Sequence, residues 1–283
     1  MTKLLYLECT SGISGDMCAA ALLDAGASEE AVRRALESLP VEGFAVEISR
    51  VKKSGLDVCD FSVVLDAAHE NHDHDMAYLH GQGGASEHGH DHDHGHAHYH
   101  DHAHGAPGGH HHRGPAEIAQ IIDGAAMTDG AKAIAHRMFG FVADAEARAH
   151  GVPVGEVHFH EVGAVDSIAD IIAIAVAADD LAPDGVVVSD LPCGYGTVRC
   201  QHGLIPVPAP ATAFIAEAAG LTLSPVDVEG ELVTPTGAAA AAALRTEAAL
   251  PERFSIKAIG MGAGKRVYDT PGILRAMIIE PAE

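Results

Sequence analysis

The amino-acid sequence predicts an α/β protein, with α+β as the alternative, in which helices pack in layers against a sheet. Short apolar segments with strand character alternate with helical segments along most of the 283 residues. The composition is 47% hydrophobic but 4% aromatic, without Trp, so Ala, Val, Leu and Ile must fill the core. Residues 69–112 differ abruptly and hold sixteen of the 21 histidines. The sequence therefore predicts one core domain, residues 1–68 and 113–283, with a disordered His-rich insertion at 69–112.

The part before the insertion predicts two helices between strands. Pro40 ends the second helix, and two segments of alternating polar and apolar residues predict a hairpin with its turn at residues 52–55. The predicted elements are, in order, a strand over residues 4–7, helices over 17–25 and 29–39, and strands over 44–50 and 58–65.

The part after the insertion alternates helices and strands, and local residues mark several helix ends. Pro115 suits a first helical position, Gly151 suits a helix end, and Thr234 suits a cap. Residues 204–210 contain three prolines, which donate no backbone hydrogen bond, so they predict an extended rim outside the central sheet. The predicted helices cover residues 115–125, 129–150, 167–181, 211–219 and 235–244, and the predicted strands cover 186–189, 194–200, 221–226, 256–259 and 274–279.

Residues 157–170, VHFHEVGAVDSIAD, hold five metal-ligand side chains around a predicted strand-to-helix junction. His158 and His160 are two residues apart, so in an extended segment both imidazoles project from one face and can reach one divalent metal ion. Glu161 follows directly. Asp166 and Asp170 are four residues apart, so a helix that begins near residue 167 aligns both carboxylates along its first turn. The sequence therefore predicts a fixed metal site formed by these five residues.

A structural explanation of the same residues stays open. Asp166 is a good helix cap, Asp170 suits an early helical position, and a histidine beside Phe159 can be a hydrogen-bonded core residue. The clustering favours a functional site, because burying several charged or polar side chains together costs free energy unless they bind a ligand or a metal ion.

Two glycine-containing loops are candidates for binding a phosphate or carboxylate. The first precedes the first predicted helix, where free backbone N–H groups can face an anion. The second is basic and follows the strand at residues 256–259. Neither matches a nucleotide-binding signature, so a plain connection and a strand bend are the alternatives. The candidate residues are Ser11, Gly12, Ser14, Gly15 and Asp16 in the first loop, and Gly262, Gly264, Lys265 and Arg266 in the second.

Every second residue from 88 to 104 is a histidine, interleaved with acidic residues. Such a segment can fold imidazoles around a metal ion in many registers, and neutral imidazole binds Ni²⁺, Cu²⁺, Zn²⁺ or Co²⁺ well. We therefore predict metal capture or storage here, with a polar spacer as the alternative. The predicted ligands are His88, His90, His92, His94, His96, His98, His100, His102 and His104.

The formal net charge of −23 argues against nucleic acid or an anionic membrane as a partner and favours cations. The insertion contributes seven acidic and no basic residues, which leaves −16 for the rest of the chain. The five cysteines form no CxxC motif, so the sequence indicates neither a disulfide framework nor a thiolate zinc site. No segment resembles a signal peptide or a membrane span, and we expect a cytoplasmic protein.

Several motifs together carry a family resemblance: SGISGDM (11–17), the His-rich segment, HFHEVGAVDSIADI (158–171), HGLIPVPAPAT (202–212) and TPTGAA (234–239). On these motifs the sequence resembles the LarC family, nickel insertion proteins that make the nickel-pincer nucleotide cofactor of lactate racemase and related enzymes. The resemblance implies a nickel chelatase, or cyclometallase, that inserts Ni²⁺ into pyridinium-3,5-bisthiocarboxylic acid mononucleotide through two Ni–S bonds and one Ni–C bond. It also implies CTP hydrolysis with Mg²⁺ or Mn²⁺.

The resemblance further implies a division of the activity. Family members continue into a C-terminal domain associated with CTP binding that this sequence does not include, so we expect it to be the nickel-binding N-terminal part. The His-rich segment would gather nickel, and His158, His160 and Glu161 would form the fixed site. Asp166 and Asp170 would hold Mg²⁺ or orient the histidines. The expected partners are the nucleotide, the C-terminal domain or full-length form, the apo-enzyme that receives the cofactor, and further copies of the chain in a homo-oligomer.

Two other functions stay open. A nickel storage protein or metallochaperone without catalysis needs only the His-rich segment, and deleting residues 69–112 would separate it from an insertion enzyme. A metal-dependent hydrolase would use the same His, Glu and Asp cluster, and its activity would need His158 but no nickel.

Overall fold

The computed structural model describes residues 2–66, 113–157, 159, 165–200 and 203–282. The predicted insertion, with its nine alternating histidines, lies outside the described residues. His158, His160 and Glu161 also lie outside them. The metal-ligand assignments of all these residues therefore stay predictions.

A mixed sheet forms the centre of the described structure. Ten strands are found in the described ranges: β1 (Leu4–Glu8), β2 (Phe44–Lys53), β3 (Leu56–Leu65), β4 (Gly185–Val188), β5 (Leu191–Tyr195), β6 (Thr197–Cys200), β7 (Gly203–Pro206), β8 (Leu223–Glu229), β9 (Phe254–Ala263) and β10 (Ile273–Pro281). Six of them form one sheet in the order β2-β3-β9-β10-β1-β4. β1 pairs antiparallel with β10 and parallel with β4, and β10 pairs antiparallel with β9. Two smaller sheets pair β5 with β8 and β6 with β7.

The helices pack in layers on this sheet. Seven α-helices are found in the described ranges: α1 (Gly15–Asp24), α2 (Glu29–Glu37), α3 (Pro115–Gly124), α4 (Asp129–His150), α5 (Val165–Leu181), α6 (Pro210–Ala219) and α7 (Pro235–Leu244). α1 lies directly on β9, β3 and β10, while α5 packs against α1 and α2. α4 packs against α5, α6 and α7. The predicted layered α/β architecture is confirmed, and a continuous core built mainly of Ala, Ile, Leu and Val fills it.

Within the described ranges, no helix combines the length and the apolar character that crossing a bilayer requires.

The helix ends follow their local sequence signals. Thr234 caps α7 as predicted, because its hydroxyl accepts a hydrogen bond from the backbone N–H of Gly237 at 3.1 Å. Gly151 ends α4 in the left-handed conformation, with φ of +67°. Pro115 lies in the first turn of α3, where its missing N–H costs no helical hydrogen bond.

The β2–β3 hairpin confirms the predicted turn and shortens it to two residues. Ser54 and Gly55 have φ of +50° and +81°, so both central residues adopt the positive φ of a type I′ turn. The twist of such a turn matches the twist of the strands, and pairing therefore continues to Lys53 opposite Leu56. Both strands extend closer to the turn than the alternation of residues predicts.

The proline-rich segment lies outside the central sheet, as predicted. Its first residues form β7, which pairs only with β6 in the described structure, and α6 begins at Pro210. Because prolines cannot donate backbone hydrogen bonds, a rim position suits this segment better than a central one.

Two glycines of β9 allow α1 to lie unusually close to the sheet. A Cβ atom on Gly260 would overlap the carbonyl oxygen of Ala21, and one on Gly262 would overlap the carbonyl oxygen of Met17. The helix backbone therefore rests on the strand backbone at these two positions. Small residues at such a contact let the two elements approach and bury the apolar face of α1.

We predict that Gly260→Ala lowers the free energy of unfolding by about 2 kcal/mol or more, because the added methyl group must push α1 away from β9. The matched control is Gly140→Ala in the middle of α4, where a Cβ meets no atom within 4 Å. There alanine should stabilise the protein by about 0.5–1 kcal/mol, because it is the better helix former. Chemical denaturation followed by circular dichroism measures both changes, and equal effects of the two substitutions would contradict the close contact.

Candidate functional site

A cleft of about 210 Å³ opens at the N-terminal end of α1. Three segments line it: residues 11–17, which form the end of the β1–α1 loop and the start of α1, residues 231–234 before α7, and residues 264–272 between β9 and β10. Both loops that the sequence marks as anion-binding candidates therefore contribute to one cleft. The position of their charged side chains decides what the cleft can bind.

Backbone contacts hold the first two segments together. The N–H of Ile13 donates to the carbonyl of Leu232 at 2.9 Å, and the N–H of Thr234 donates to the carbonyl of Ile13 at 3.2 Å. Gly12 has φ of +109°, and a Cβ atom there would overlap the carbonyl oxygen of Leu232. Only glycine fits this position, because the conformation and the close approach both exclude a side chain. The role of Gly12 in this structure is thus to join the two loops.

The N-terminal ends of two helices meet at the cleft. Ser14 precedes α1 and Thr234 precedes α7, and both residues line the cleft. The Thr234 hydroxyl caps its own helix, whereas the Ser14 hydroxyl makes no cap and instead donates to a carboxylate oxygen of Asp16. Helix N-termini carry partial positive charge and free N–H groups, and they favour anions.

Two basic side chains of the third segment reach the cleft, each beside an acidic partner. The Lys265 ammonium forms an ion pair with Asp60 on β3. The Arg266 guanidinium donates to a carboxylate oxygen of Glu231 at 2.9 Å and to its carbonyl at 3.2 Å. The Tyr268 hydroxyl also donates to the Glu231 carbonyl, at 3.1 Å. Because the Glu231 side chain is only 6% exposed, this carboxylate needs its arginine partner.

Asp16 and Asp170 bring two carboxylates together at the start of α1. A Cβ atom on Gly15 would overlap a carboxylate oxygen of Asp170, so this side chain lies directly over the first residue of α1. Both residues are half-buried, and burial raises the pKa of Asp16 and raises that of Asp170 further. The negative charges of Asp16 and Asp166 raise the pKa of Asp170 as well, and the nearby Lys265 opposes these effects.

The helix that carries Asp166 and Asp170 begins earlier than predicted. α5 starts at Val165 instead of near residue 167, so Asp170 lies beyond the first turn and only Asp166 belongs to it. The exposed Asp166 carboxylate accepts a hydrogen bond from the backbone N–H of Ser167 at 2.9 Å. The prediction that both carboxylates share the first turn is therefore wrong, because the helix begins with the apolar Val165, whose side chain is buried.

The structure does not complete a metal site from the predicted ligands. Among the described residues, no group of three or more His, Cys, Asp or Glu side chains has the arrangement to hold a metal ion. His158, His160 and Glu161 lie outside those residues, so the combination with Asp166 and Asp170 stays a prediction. Burial raises the pKa of the Cys9 thiol to about 12 and that of the Cys59 thiol to about 11, which disfavours the thiolate form of these two residues.

The second anion-binding candidate divides into two parts. The sequence predicts that Gly262 lies in a phosphate-contacting turn. The structure corrects this prediction, because Gly262 is still part of strand β9 and is covered by Met17. Gly264 lines the cleft, and its N–H closes the turn by donating to the carbonyl of Gly272 at 2.9 Å. Lys265 and Arg266 follow it into the cleft, as the prediction requires.

Sequence reasoning missed four residues that support the cleft. Asp60, Glu231 and Tyr268 hold its basic side chains, and Lys53 donates to the carbonyls of Gly264 at 2.7 Å and Arg266 at 2.8 Å. Lys53, Asp60 and Glu231 come from segments distant in sequence, whereas Tyr268 lies in the same turn as the basic side chains. None of the four belongs to a ligand-spacing motif. For the three charged residues the only available signal was their charge, which does not separate them from surface residues.

Comparisons with known proteins assign the chain to a family. A family model described as nickel insertion protein matches residues 5–283. The chain belongs to the nickel insertion protein family. It is 47% identical over 281 residues to the pyridinium-3,5-bisthiocarboxylic acid mononucleotide nickel insertion protein of Alkaliphilus metalliredigens, covering 99% of this chain and 61% of that protein. A protein of the same name from Geobacillus kaustophilus is 38% identical over 280 residues, with 98% and 60% covered.

A third member of the nickel insertion protein family, a putative nickel insertion protein of Geobacter sp. strain M21, is 38% identical over 283 residues, covering 99% of this chain and 62% of that protein. The chain thus spans about three fifths of the length of these curated relatives. No solved structure shows a significant match to it.

The cleft of this nickel insertion family member contains groups of both charges. Lys265, Arg266 and the start of α1 offer positive charge and hydrogen-bond donors, which suit a phosphate. Asp16 also lines the cleft and offers a carboxylate, which suits a cation. Asp170 lies next to this lining, over Gly15 at the start of α1.

We predict a strong energetic coupling between Gly15 and Asp170. In the unmodified protein, Gly15→Ala should cost about 1–3 kcal/mol, because the methyl group overlaps the Asp170 carboxylate. In an Asp170→Ala background the same change should be neutral or stabilising, because the space is vacant and alanine favours a helix. Chemical denaturation of the four proteins measures the coupling, which we expect to exceed about 1 kcal/mol. As a control, Gly140→Ala should change the free energy of unfolding equally with and without Asp170→Ala. If Gly15→Ala also costs the same in both backgrounds, the Asp170 carboxylate does not lie over Gly15.

Proposed function

We propose that this chain is the nickel-binding N-terminal part of an enzyme that inserts Ni²⁺ into pyridinium-3,5-bisthiocarboxylic acid mononucleotide, a chelatase of the lyase class. The observation that carries the proposal is the cleft, because it combines groups that suit a phosphate with the carboxylate of Asp16 in a chain whose relatives bear this name. The core domain, residues 1–68 and 113–283, would hold the nucleotide, and residues 69–112 would gather the metal.

The phosphate of the nucleotide fits the basic part of the cleft, where it would bind Lys265, Arg266 and the N–H groups at the start of α1. The other end of the nucleotide carries one positive charge on the pyridinium ring and two negative charges on the thiocarboxylates. The Asp16 carboxylate therefore suits this end only when a cation such as Ni²⁺ offsets the thiocarboxylates. In this orientation the thiocarboxylates, which must receive the metal, would lie near Asp16.

Nickel would reach the nucleotide from histidines. The imidazoles of residues 88–104 would collect Ni²⁺, and His158, His160 and Glu161 would pass it on as the fixed site. These three residues precede α5 by a few positions, and α5 places Asp170 over Gly15 at the start of α1, next to the cleft. Asp166 and Asp170 would hold Mg²⁺ or orient the histidines. The two sulfur atoms then bind Ni²⁺, and the ring carbon between them releases its proton as the Ni–C bond forms.

The remaining parts of the activity would come from outside this chain. CTP hydrolysis with Mg²⁺ or Mn²⁺ belongs in our proposal to the C-terminal part of the longer protein, and the chain alone would bind substrates without completing the insertion. We further propose a cytoplasmic homo-oligomer that hands the product to an apo-enzyme, such as a racemase related to lactate racemase.

The second candidate is a nickel storage protein or metallochaperone. The alternating histidines of residues 88–104 favour it, because metal capture needs no other feature of the chain. The two candidates differ in the cleft, since storage requires no nucleotide site. Nickel binding and nucleotide binding must therefore be measured separately.

We predict one tight nickel site that survives removal of the His-rich segment. Calorimetric titration with Ni²⁺ should show many sites in the full chain and one in a variant with residues 69–112 replaced by a short Gly/Ser linker. Adding His158→Ala and His160→Ala to that variant should abolish the remaining site, because two neutral imidazoles are lost. The matched control is His136→Ala, an exposed histidine paired with Asp123 at 2.8 Å, which should leave it intact. Equal nickel binding with and without the two histidines would refute the fixed site.

We predict that Lys265→Met weakens binding of the mononucleotide about tenfold, because one charge-assisted hydrogen bond to the phosphate is lost. The matched control is Lys257→Met. Lys257 lies on β9, outside the cleft lining, and its ammonium pairs with Glu280 at 2.8 Å. Calorimetry with the mononucleotide and without nickel measures both affinities. If both variants bind as tightly as the parent chain, the phosphate does not bind at Lys265.

A further inference from the structure

Lys53 connects the edge of the sheet to the turn that carries the basic side chains. It is the last residue of β2, and its half-buried ammonium donates to the carbonyl oxygen of Gly264 at 2.7 Å and to that of Arg266 at 2.8 Å. These two carbonyls belong to the residues on either side of Lys265. One side chain therefore holds the backbone before and after the residue that we place beside the phosphate.

The turn of residues 264–272 packs closely against the aliphatic part of the Lys53 side chain. Gly272 has φ of +61°, and a Cβ atom there would lie 3.1 Å from Cε of Lys53. The same glycine accepts the hydrogen bond from the Gly264 N–H that closes the turn. Glycine at this position thus gives the turn its conformation and leaves room for the lysine side chain.

Residues 264–272 form neither helix nor strand, and Val267 and Asp269 are exposed between β9 and β10. The side chains of Arg266 and Tyr268 tie this turn to Glu231, whereas Lys53 binds its backbone. Removing the ammonium would leave the carbonyls on either side of Lys265 without this donor. The backbone there would then be less fixed, and so would the direction of the Lys265 side chain.

The charges around Lys53 match a supporting role. Burial lowers its pKa, and the nearby Lys265 does so as well, whereas the carboxylates of Asp16 and Asp60 oppose this shift. Burying a charged group is costly unless it is hydrogen-bonded and compensated. Both conditions are met here, since two carbonyls accept from the ammonium and two carboxylates lie near it.

We propose that Lys53 is a positioning residue for phosphate recognition. It donates hydrogen bonds to the backbone carbonyls of Gly264 and Arg266 and thereby fixes the turn between them. The turn then directs the side chains of Lys265 and Arg266 toward the phosphate of the bound nucleotide. This inference rests on the proposed function, because it assumes that the cleft binds the mononucleotide. Lys53 itself acts through the turn and need not touch the ligand.

The test compares two ligands, the mononucleotide and the nucleoside that lacks its phosphate. Calorimetry gives the affinity of the parent chain and of Lys53→Met for each ligand, and the ratio of the two affinities measures phosphate recognition. We expect Lys53→Met to lose about tenfold in mononucleotide affinity and less than twofold in nucleoside affinity, since only the phosphate contacts depend on the turn. A purely structural role would lower both affinities together. The matched control is Lys52→Met, because the ammonium of Lys52 is exposed and pairs with Asp57 at 3.3 Å. This substitution should change neither affinity.

The outcomes separate this inference from the proposed function. If the parent chain prefers the mononucleotide and Lys53→Met keeps the full preference, or loses affinity for both ligands equally, the positioning role is overturned while the proposed cleft stands. If the parent chain binds neither ligand, or binds both equally, both proposals fail. Should Lys53→Met not fold, Lys53→Arg keeps the charge but offers its donors in a rigid plane. It should reduce the phosphate preference two- to fivefold, and an unchanged preference would overturn the inference.

Discussion

The contact between α1 and β9 is the constraint on which the rest of the described structure depends. Gly260 and Gly262 lack side chains, so the helix approaches until its backbone carbonyls rest on the strand. α1 begins at Gly15, directly after the first loop of the cleft, and β9 ends at Ala263, directly before the turn with Lys265. Because one contact joins the helix start to the strand end, it also sets the distance between the two halves of the cleft. A backbone contact of this kind has no side-chain rotamers, which makes the distance well defined.

The basic side chains of the cleft already have acidic partners before any ligand arrives. Lys265 pairs with Asp60 and Arg266 pairs with Glu231, while the pKa of the Asp16 and Asp170 carboxylates is raised by burial. A phosphate that binds the basic residues must compete with these carboxylates. Phosphate binding in the proposed function therefore depends on how strongly Asp60 and Glu231 hold the two basic side chains.

Local sequence signals predicted most of the fold. The hairpin turn at Ser54 and Gly55, the cap at Thr234 and the helix end at Gly151 all depend on residues within one turn of the element that they end. Periodicity of apolar residues likewise depends on neighbours along the chain. The boundary of α5 was misplaced because Asp166 is an equally good residue at a cap and in a first turn, and only the packing of Val165 decides between them.

The part of the site that sequence could not predict has a common physical origin. Ser11, Ser14, Asp16, Lys265 and Arg266 were recognisable because polar residues in loops that follow strands are typical of binding sites. The residues that hold them in place are recognisable only from the fold. Lys53 lies more than two hundred positions from the carbonyls that it binds, and Asp170 reaches Gly15 from another helix. A motif thus identifies the groups that face a ligand, whereas the direction in which they point is set by long-range contacts. For this reason Lys53 belongs to the site as much as the residues that line it.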